Sequence, residues 1–181
     1  MSVASRPRDV SAVIRPARGP DAPWLAELAE RTFRETYAAY NTPEDMERYV
    51  AEHFGPALQA AELADLRYLT LVAEVDGRPA GYAQLARAPA PDCVTGPEPM
   101  EIVRFYVDRP WHGQGLAQEL MRAADEHAGA AGARTLWLGV WSRNPRAIAF
   151  YRKCGFLEVG TQTFVLGTDH QHDLVLARPI P

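Results

Sequence analysis

The 181-residue sequence is short of several things, and each shortage removes a class of function. Nowhere does it hold the ~18 consecutive apolar residues of a membrane-spanning helix, so no membrane partner is expected. The first nine residues are polar and basic, without the apolar stretch of a secretory signal. They are expected to form a disordered arm ahead of a single domain over residues 10–181. Two cysteines, Cys93 and Cys154, are too few for a disulfide framework or a metal cluster, so no metal is expected and a reducing cytoplasm is the default. Lysine is almost missing, since Lys153 alone represents it among nineteen basic residues. With a net charge of −4, no basic stripe and no helix-turn-helix pattern, no nucleic-acid partner is expected. The Gly-Lys-Ser/Thr of a P-loop is absent too.

What remains is an ordinary globular composition, 47% hydrophobic and 23% charged, enough for one sizeable core. Charge is unevenly spread. Acids dominate from Asp21 to Asp65, and bases dominate from Arg104 to Lys153. Either these are solvated helix faces, or a basic region for an anionic ligand lies beside an acidic one suited to a cation.

Periodicity supplies the elements. Val10, Ala12 and Ile14 alternate in a first strand, and Trp24, Leu25, Leu28, Ala29 and Phe33 form the stripe of a helix. Thr42 and Pro43 cap and open a second helix, and Ala57 to Leu66 makes a shorter third. Strands Tyr68–Val75 and Arg78–Arg87 flank an Asp76-Gly77 hairpin turn, with Gly81 marking a bulge or a close approach. A proline-rich loop leads to a central strand, Glu101–Val107. A helix follows, ending near Gly129 or Gly132, then a strand over Thr135–Val140. Asn144 and Pro145 start a helix that stops at Gly155, and strands Phe156–Leu166 and Asp173–Ala177 close the sheet. The order predicts an α/β domain with a mixed sheet, helices on both faces, and one parallel crossover between strands four and five.

The turn from His112 to Ala117 joins the central strand to its helix. Gly113 and Gly115 tolerate positive φ and keep side chains off the backbone. The first amides of the helix have no partner within it and carry the positive dipole end. The stretch reads either as a plain tight turn or as a seat for a diphosphate.

The next motif decides between them. His112-Gly113-Gln114-Gly115-Leu116-Ala117, followed at the proper distance by Asn144-Pro145-Arg146-Ala147-Ile148-Ala149-Phe150-Tyr151-Arg152-Lys153-Cys154-Gly155-Phe156, resembles the two signatures of the GNAT family of acyl-CoA-dependent N-acyltransferases. His112 departs from the usual Arg or Gln. Leu136 to Trp141 and Thr163 to Gly167 are similar to the PaiA-like branch, bacterial polyamine N-acetyltransferases.

The resemblance implies a largely antiparallel sheet of six to seven strands, splayed between the fourth and fifth. It implies acetyl-CoA as co-substrate and a small, polyamine-like primary amine as acceptor. A protein N-terminus, an amino sugar or a non-catalytic acyl-CoA-binding role are the alternatives, and a homodimer is compatible with the fold. The cofactor would be held by Phe105, Tyr106 and Val107, by the turn His112, Gly113, Gln114, Gly115, Leu116 and Ala117, and by Asn144, Ala147, Phe150, Tyr151 and Lys153 of the later helix.

Chemistry then assigns roles. Asn144, Ala147 and Tyr151 share one helix face. A phenol still protonated at neutral pH suits Tyr151 to protonate the departing thiolate. A free amide near Tyr106 or Val107 would stabilise the oxyanion. For the base, Glu101 acting through water, His112, and loss of the proton to solvent all stay open. Phe33, Tyr37, Tyr40 and Asn41 are placed at the acceptor mouth, with Glu35 or Glu44 attracting cations and the proline-rich loop contributing.

Overall fold

The computed structural model describes residues 12–181. The arm over residues 1–9 and the start of the first strand at Val10 lie outside the described residues. In chain order the elements are β1 (Ala12–Pro16), α1 (Ala22–Tyr37), α2 (Pro43–His53), α3 (Pro56–Ala64), β2 (Tyr68–Val75), β3 (Arg78–Ala86), β4 (Pro99–Val107), α4 (Leu116–Ala130), β5 (Thr135–Trp141), α5 (Pro145–Lys153), β6 (Leu157–Leu166) and β7 (Asp169–Pro179). Local chemistry sets their ends. Thr42 and Asn144 accept hydrogen bonds from the amides of Asp45 and Ala147, and prolines sit at the starts of α2 and α5. Gly132 and Gly155, at φ 86° and 87°, take the left-handed residue just past α4 and α5.

Seven strands form one sheet in the order β1-β2-β3-β4-β5-β7-β6. All neighbours are antiparallel except β4 and β5, which α4 connects as a crossover. The β2–β3 turn has positive φ at both Asp76 and Gly77, the geometry that matches strand twist in a two-residue hairpin. Gly81 meets both expectations for it. The register slips between Ala73 and Glu74 opposite it, and a Cβ at Gly81 would lie 2.8 Å from the Tyr106 carbonyl oxygen.

Cores cover both faces. One packs Leu85, Ile102, Leu120, Leu138, Phe156 and Leu176 beneath α4 and α5. The other packs Leu25, Leu28, Phe33, Met46, Tyr82 and Leu166 beneath α1 and α2. Each fully buried Leu or Phe contributes about 1.5–3 kcal/mol. The proline-rich loop is pinned rather than free. Val94 is buried against Trp137, Val175 and Ala177.

One irregularity in β4 matters to the site. Gln84 pairs with Arg104 but Leu85 pairs with Ile102, so Val103 is an extra residue. Such a bulge resets which face the following side chains take. Met100 and Ile102 enter the α4 core, and past the bulge Phe105 and Val107 pack on the same core while Tyr106 joins the other. Glu101 therefore shares a face with Arg104 and Tyr106, and not with Phe105 as unbroken alternation predicts.

Candidate active site

The sheet opens at its centre. β4 and β5 are in register only from Pro99 to Glu101 and from Thr135 to Trp137. Beyond that point each strand keeps its outer neighbour, β3 or β7, while their facing edges part. Two unpaired edges leave main-chain donors and acceptors for a ligand lying along them like an added strand.

The turn into α4 lies at the far end of β4. A short 3-10 turn over Arg109–Trp111 precedes it, held by the Asp108 carboxylate, which accepts from the Arg109 amide and pairs with Arg31 at 2.8 Å. Gly113 and Gly115 have φ of 75° and 90°, and a Cβ on either would meet nothing within 4 Å. Gly113, Gln114 and Gly115 are exposed, and Gln114 donates to the Pro110 carbonyl at 2.7 Å. An open cradle at the N-terminus of a 15-residue helix fits a diphosphate, with the amides of Leu116 and Ala117 supplying the dipole end.

His112 makes two side-chain contacts of its own. Its Nε2 lies 2.8 Å from the Val107 carbonyl oxygen, and its Nδ1 lies 2.8 Å from Arg146 of α5. Only a neutral ring with the proton on Nε2 satisfies both, donating to Val107 and accepting from Arg146. The imidazole thus ties the end of β4 to α5 and holds an arginine beside the cradle.

On α5, the side-chain oxygen of Asn144 is committed to the Ala147 amide at 3.1 Å, which leaves its NH2 group free to face the cleft. Tyr151 is 8% exposed among Phe105, Phe150 and Phe156, whose ring centroids lie 5.4–6.1 Å away. Burial raises its phenol well above the ordinary value of 10, so it stays protonated. Phe105 and Phe150 stack at 5.5 Å as its support, and Lys153 is exposed at the end of the helix.

Both sides of the sheet meet in one cavity of about 400 Å³. Asn144, Ala147 and Tyr151 line its α5 end. Phe33, Tyr37 and Tyr49 line the other, and Ile102 to Tyr106 of β4 run between them. Glu101 also faces it, half-buried, with its carboxyl pushed up by burial. The expected acceptor residues therefore divide. Phe33 and Tyr37 reach the cavity. Tyr40 is 60% exposed and sits edge-on to Trp141 at 4.8 Å, outside the wall. Asn41 accepts from Gln171 and donates to the Tyr37 carbonyl, so it fastens the α1–α2 turn to β7. Glu35 is exposed and Glu44 pairs with Arg48 at 3.6 Å. The proline-rich loop packs on Trp137 and contributes no residue to the cavity among those described.

Several residues of the cavity carry no motif. Arg104 binds Glu62 at 2.6 Å and Gln84 at 2.9 Å, pinning α3 to the sheet. Asp173 and Gln162 come from β7 and β6, and their signal in the sequence is only a polar residue inside an alternating strand. Much of the acidic excess proves structural, since Asp21, Glu30, Glu47, Glu62 and Asp65 are in ion pairs.

Comparison with known proteins gives the family. Residues 25–156 match the acetyltransferase (GNAT) family. The chain belongs to that family. An uncharacterised N-acetyltransferase of Mycobacterium tuberculosis is 38% identical over 160 residues, covering 88% of this chain and 98% of the relative. Another from Lactobacillus delbrueckii is 31% identical, covering 88% and 92%. Among solved structures, the PaiA N-acetyltransferase of Thermoplasma acidophilum, determined with coenzyme A, superimposes with a TM-score of 0.76 at 21% identity, over 93% of this chain and 99% of that one. A putative acetyltransferase of Salmonella typhimurium, determined with acetyl-CoA, gives 0.66 at 22%, over 94% of each. The GNAT fold, with its mixed sheet and single parallel pair, is thereby established. As a GNAT protein the chain is an acetyltransferase.

Proposed function

We propose that this acetyltransferase uses acetyl-CoA as donor and a small cationic amine of the polyamine type as acceptor. One observation carries the reading: a single cavity runs from the aromatic, carboxylate-bearing face through the parted strands to Tyr151. Coenzyme A in the T. acidophilum structure and acetyl-CoA in the S. typhimurium structure support the choice of donor.

In this reading the Gly113–Ala117 cradle holds the diphosphate and the free edges of β4 and β5 hold the pantetheine amides. The acetyl-CoA supplies an activated carbonyl and a good leaving group. The chain's own residues do the rest. A main-chain amide of Tyr106 or Val107 stabilises the developing oxyanion. The NH2 group of Asn144 fixes the thioester arm, Ala147 leaves it room, and the Tyr151 phenol protonates the thiolate. The amine must lose a proton before it attacks, and Glu101 is one carboxyl able to accept it through water. Of the three carboxyls lining this aromatic cavity, Glu62 is paired with Arg104, and the other two, Glu101 and Asp173, suit an acceptor carrying more than one positive charge.

The test combines calorimetry with coenzyme A and thiol release over a panel of amines. Spermidine and its relatives should turn over in preference to peptide N-termini or amino sugars. No turnover of any polyamine would remove the acceptor assignment. Coenzyme A uptake without turnover of any amine would favour a non-catalytic binding role, and no uptake would remove the whole reading.

A further inference from the structure

Asp173 lies on β7, level with Trp141 of β5 and Gln162 of β6. It therefore stands beyond the point where β4 and β5 part, whereas Glu101, level with Trp137, stands where they still pair. The residue is 7% exposed, and its Oδ1 is shielded from water without a hydrogen-bond partner among the described residues. A buried carboxylate left unpaired is costly, and an ammonium brought up to it offsets that cost. Gly139 keeps the space around it open. A Cβ there would lie 3.4 Å from Asp173 Oδ2 and collide with the Gln162 amide. Aromatic rings surround the same space, with Trp141 and Phe164 centred 5.5 and 6.4 Å from Tyr37. An unpaired carboxylate lining the same cavity as these rings is a seat for a primary ammonium, through charge-assisted hydrogen bonds and cation–π attraction.

We infer that Asp173 binds the acceptor's ammonium group and takes its proton, as the base of the transfer. The inference rests on the acetyl-transfer reading above. The ammonium gives one proton to the Asp173 carboxylate. Its nitrogen then forms the C–N bond at the thioester carbonyl as the C–S bond breaks. The departing sulfur takes the Tyr151 proton, and the second nitrogen proton restores Tyr151 through water. Asp173 finally releases its own proton to solvent. Tyr37 of α1, Tyr49 of α2 and His172 on the same strand are the titratable groups that act on or are acted on by it. Burial chiefly keeps both phenols protonated, with the Asp173 charge acting the same way, against opposing pulls from Arg104 on Tyr49 and from Tyr106 on Tyr37. Burial pushes the Asp173 carboxyl up to about 6 against a small opposing pull from His172, close to where a base works best.

The experiment compares wild type, Asp173→Asn and Asp173→Ser by coenzyme A calorimetry, by kcat/KM for spermidine across pH 5–9, and by melting temperature. The serine variant serves should the asparagine one fail to fold. We expect kcat/KM to fall about 100-fold or more, the acidic limb of the wild-type profile near pH 6 to vanish, and coenzyme A affinity to stay within about twofold. The melting temperature at pH 8 should not fall, because a buried charge has been removed. Wild-type turnover and profile in either variant would overturn the role of Asp173 alone. A wild-type enzyme that takes up no coenzyme A would overturn both it and the reading beneath it.

Discussion

At the scale of single residues, local geometry positions some side chains of the cavity and distant contacts position others. Tyr151, Asn144 and the two glycines of the cradle follow from local spacing, because helix faces and turns are local. Glu101 shows the limit. Its strand was evident, but the Val103 bulge turns it to the face opposite Phe105, and no residue type at 103 announces a bulge. His112 is similar, since its bonds to Val107 and Arg146 depend on where α5 docks. Tyr151 allows the sharpest test. Tyr151→Phe keeps the ring among Phe105, Phe150 and Phe156 and removes only the hydroxyl. Loss of a positioned acid lowers kcat by about 10²–10⁴-fold, while coenzyme A affinity and melting temperature stay unchanged. Rapid-quench single turnovers should place the loss in the chemical step. Full activity in the variant would return Tyr151 to a packing role.

Elements were more legible than residues, because capping and periodicity are written in short windows. The N-caps Thr42 and Asn144 and the stops at Gly132 and Gly155 are where the sequence indicates. The 3-10 turn at Arg109–Trp111 and the full reach of β7, Asp169–Pro179, were not evident, since polar residues such as His170 and His172 break the apolar alternation at an edge hairpin. The cap of α5 separates two functions of one side chain. Asn144→Ala removes both the acceptor for the Ala147 amide and the NH2 donor toward the cleft. It should cost about 1 kcal/mol, lower the melting temperature by about 2–4 °C, and weaken coenzyme A binding. Asn144→Asp keeps the capping oxygen and adds a charge favourable at a helix N-terminus. Its melting temperature should match wild type while coenzyme A affinity still falls about 10-fold, the loss of one hydrogen bond. Differential scanning and calorimetry on the pair decide. Equal affinity in Asn144→Asp and wild type would show that the amide group holds nothing.

For the whole molecule, the one parallel pair of an otherwise antiparallel sheet is also where the strands part, β4 and β5 being in register only over three residues each, and α5 and the cradle both border that gap. The parting was expected from the family resemblance alone, and the crossover from the order of elements, which made it readable. The partners of the acidic residues were not, because ion pairs such as Arg104–Glu62 join segments far apart in sequence. One such cluster governs acid stability. Arg15 of β1 grips Asp21 through two hydrogen bonds of 2.7 and 2.9 Å and also reaches Glu74 of β2, while the Arg18 amide adds a bond of 2.7 Å to Asp21. The Arg15 guanidinium chiefly, then the amide, lower the Asp21 carboxyl from 3.8 to about 2. A depressed folded value means the native state releases the proton more readily than the unfolded chain. The stabilisation, about 2 kcal/mol, is therefore complete above pH 4 and lost as pH falls toward 2. Asp173 has the opposite sign. Its raised value favours the native state below pH 4, and that contribution fades as pH rises through 6. Urea unfolding of Asp21→Asn against wild type separates the two. The variant should be weaker by about 2 kcal/mol at pH 7, and the gap should close between pH 4 and 2. A gap that stays constant across that interval would mean Asp21 acts through shape and not charge.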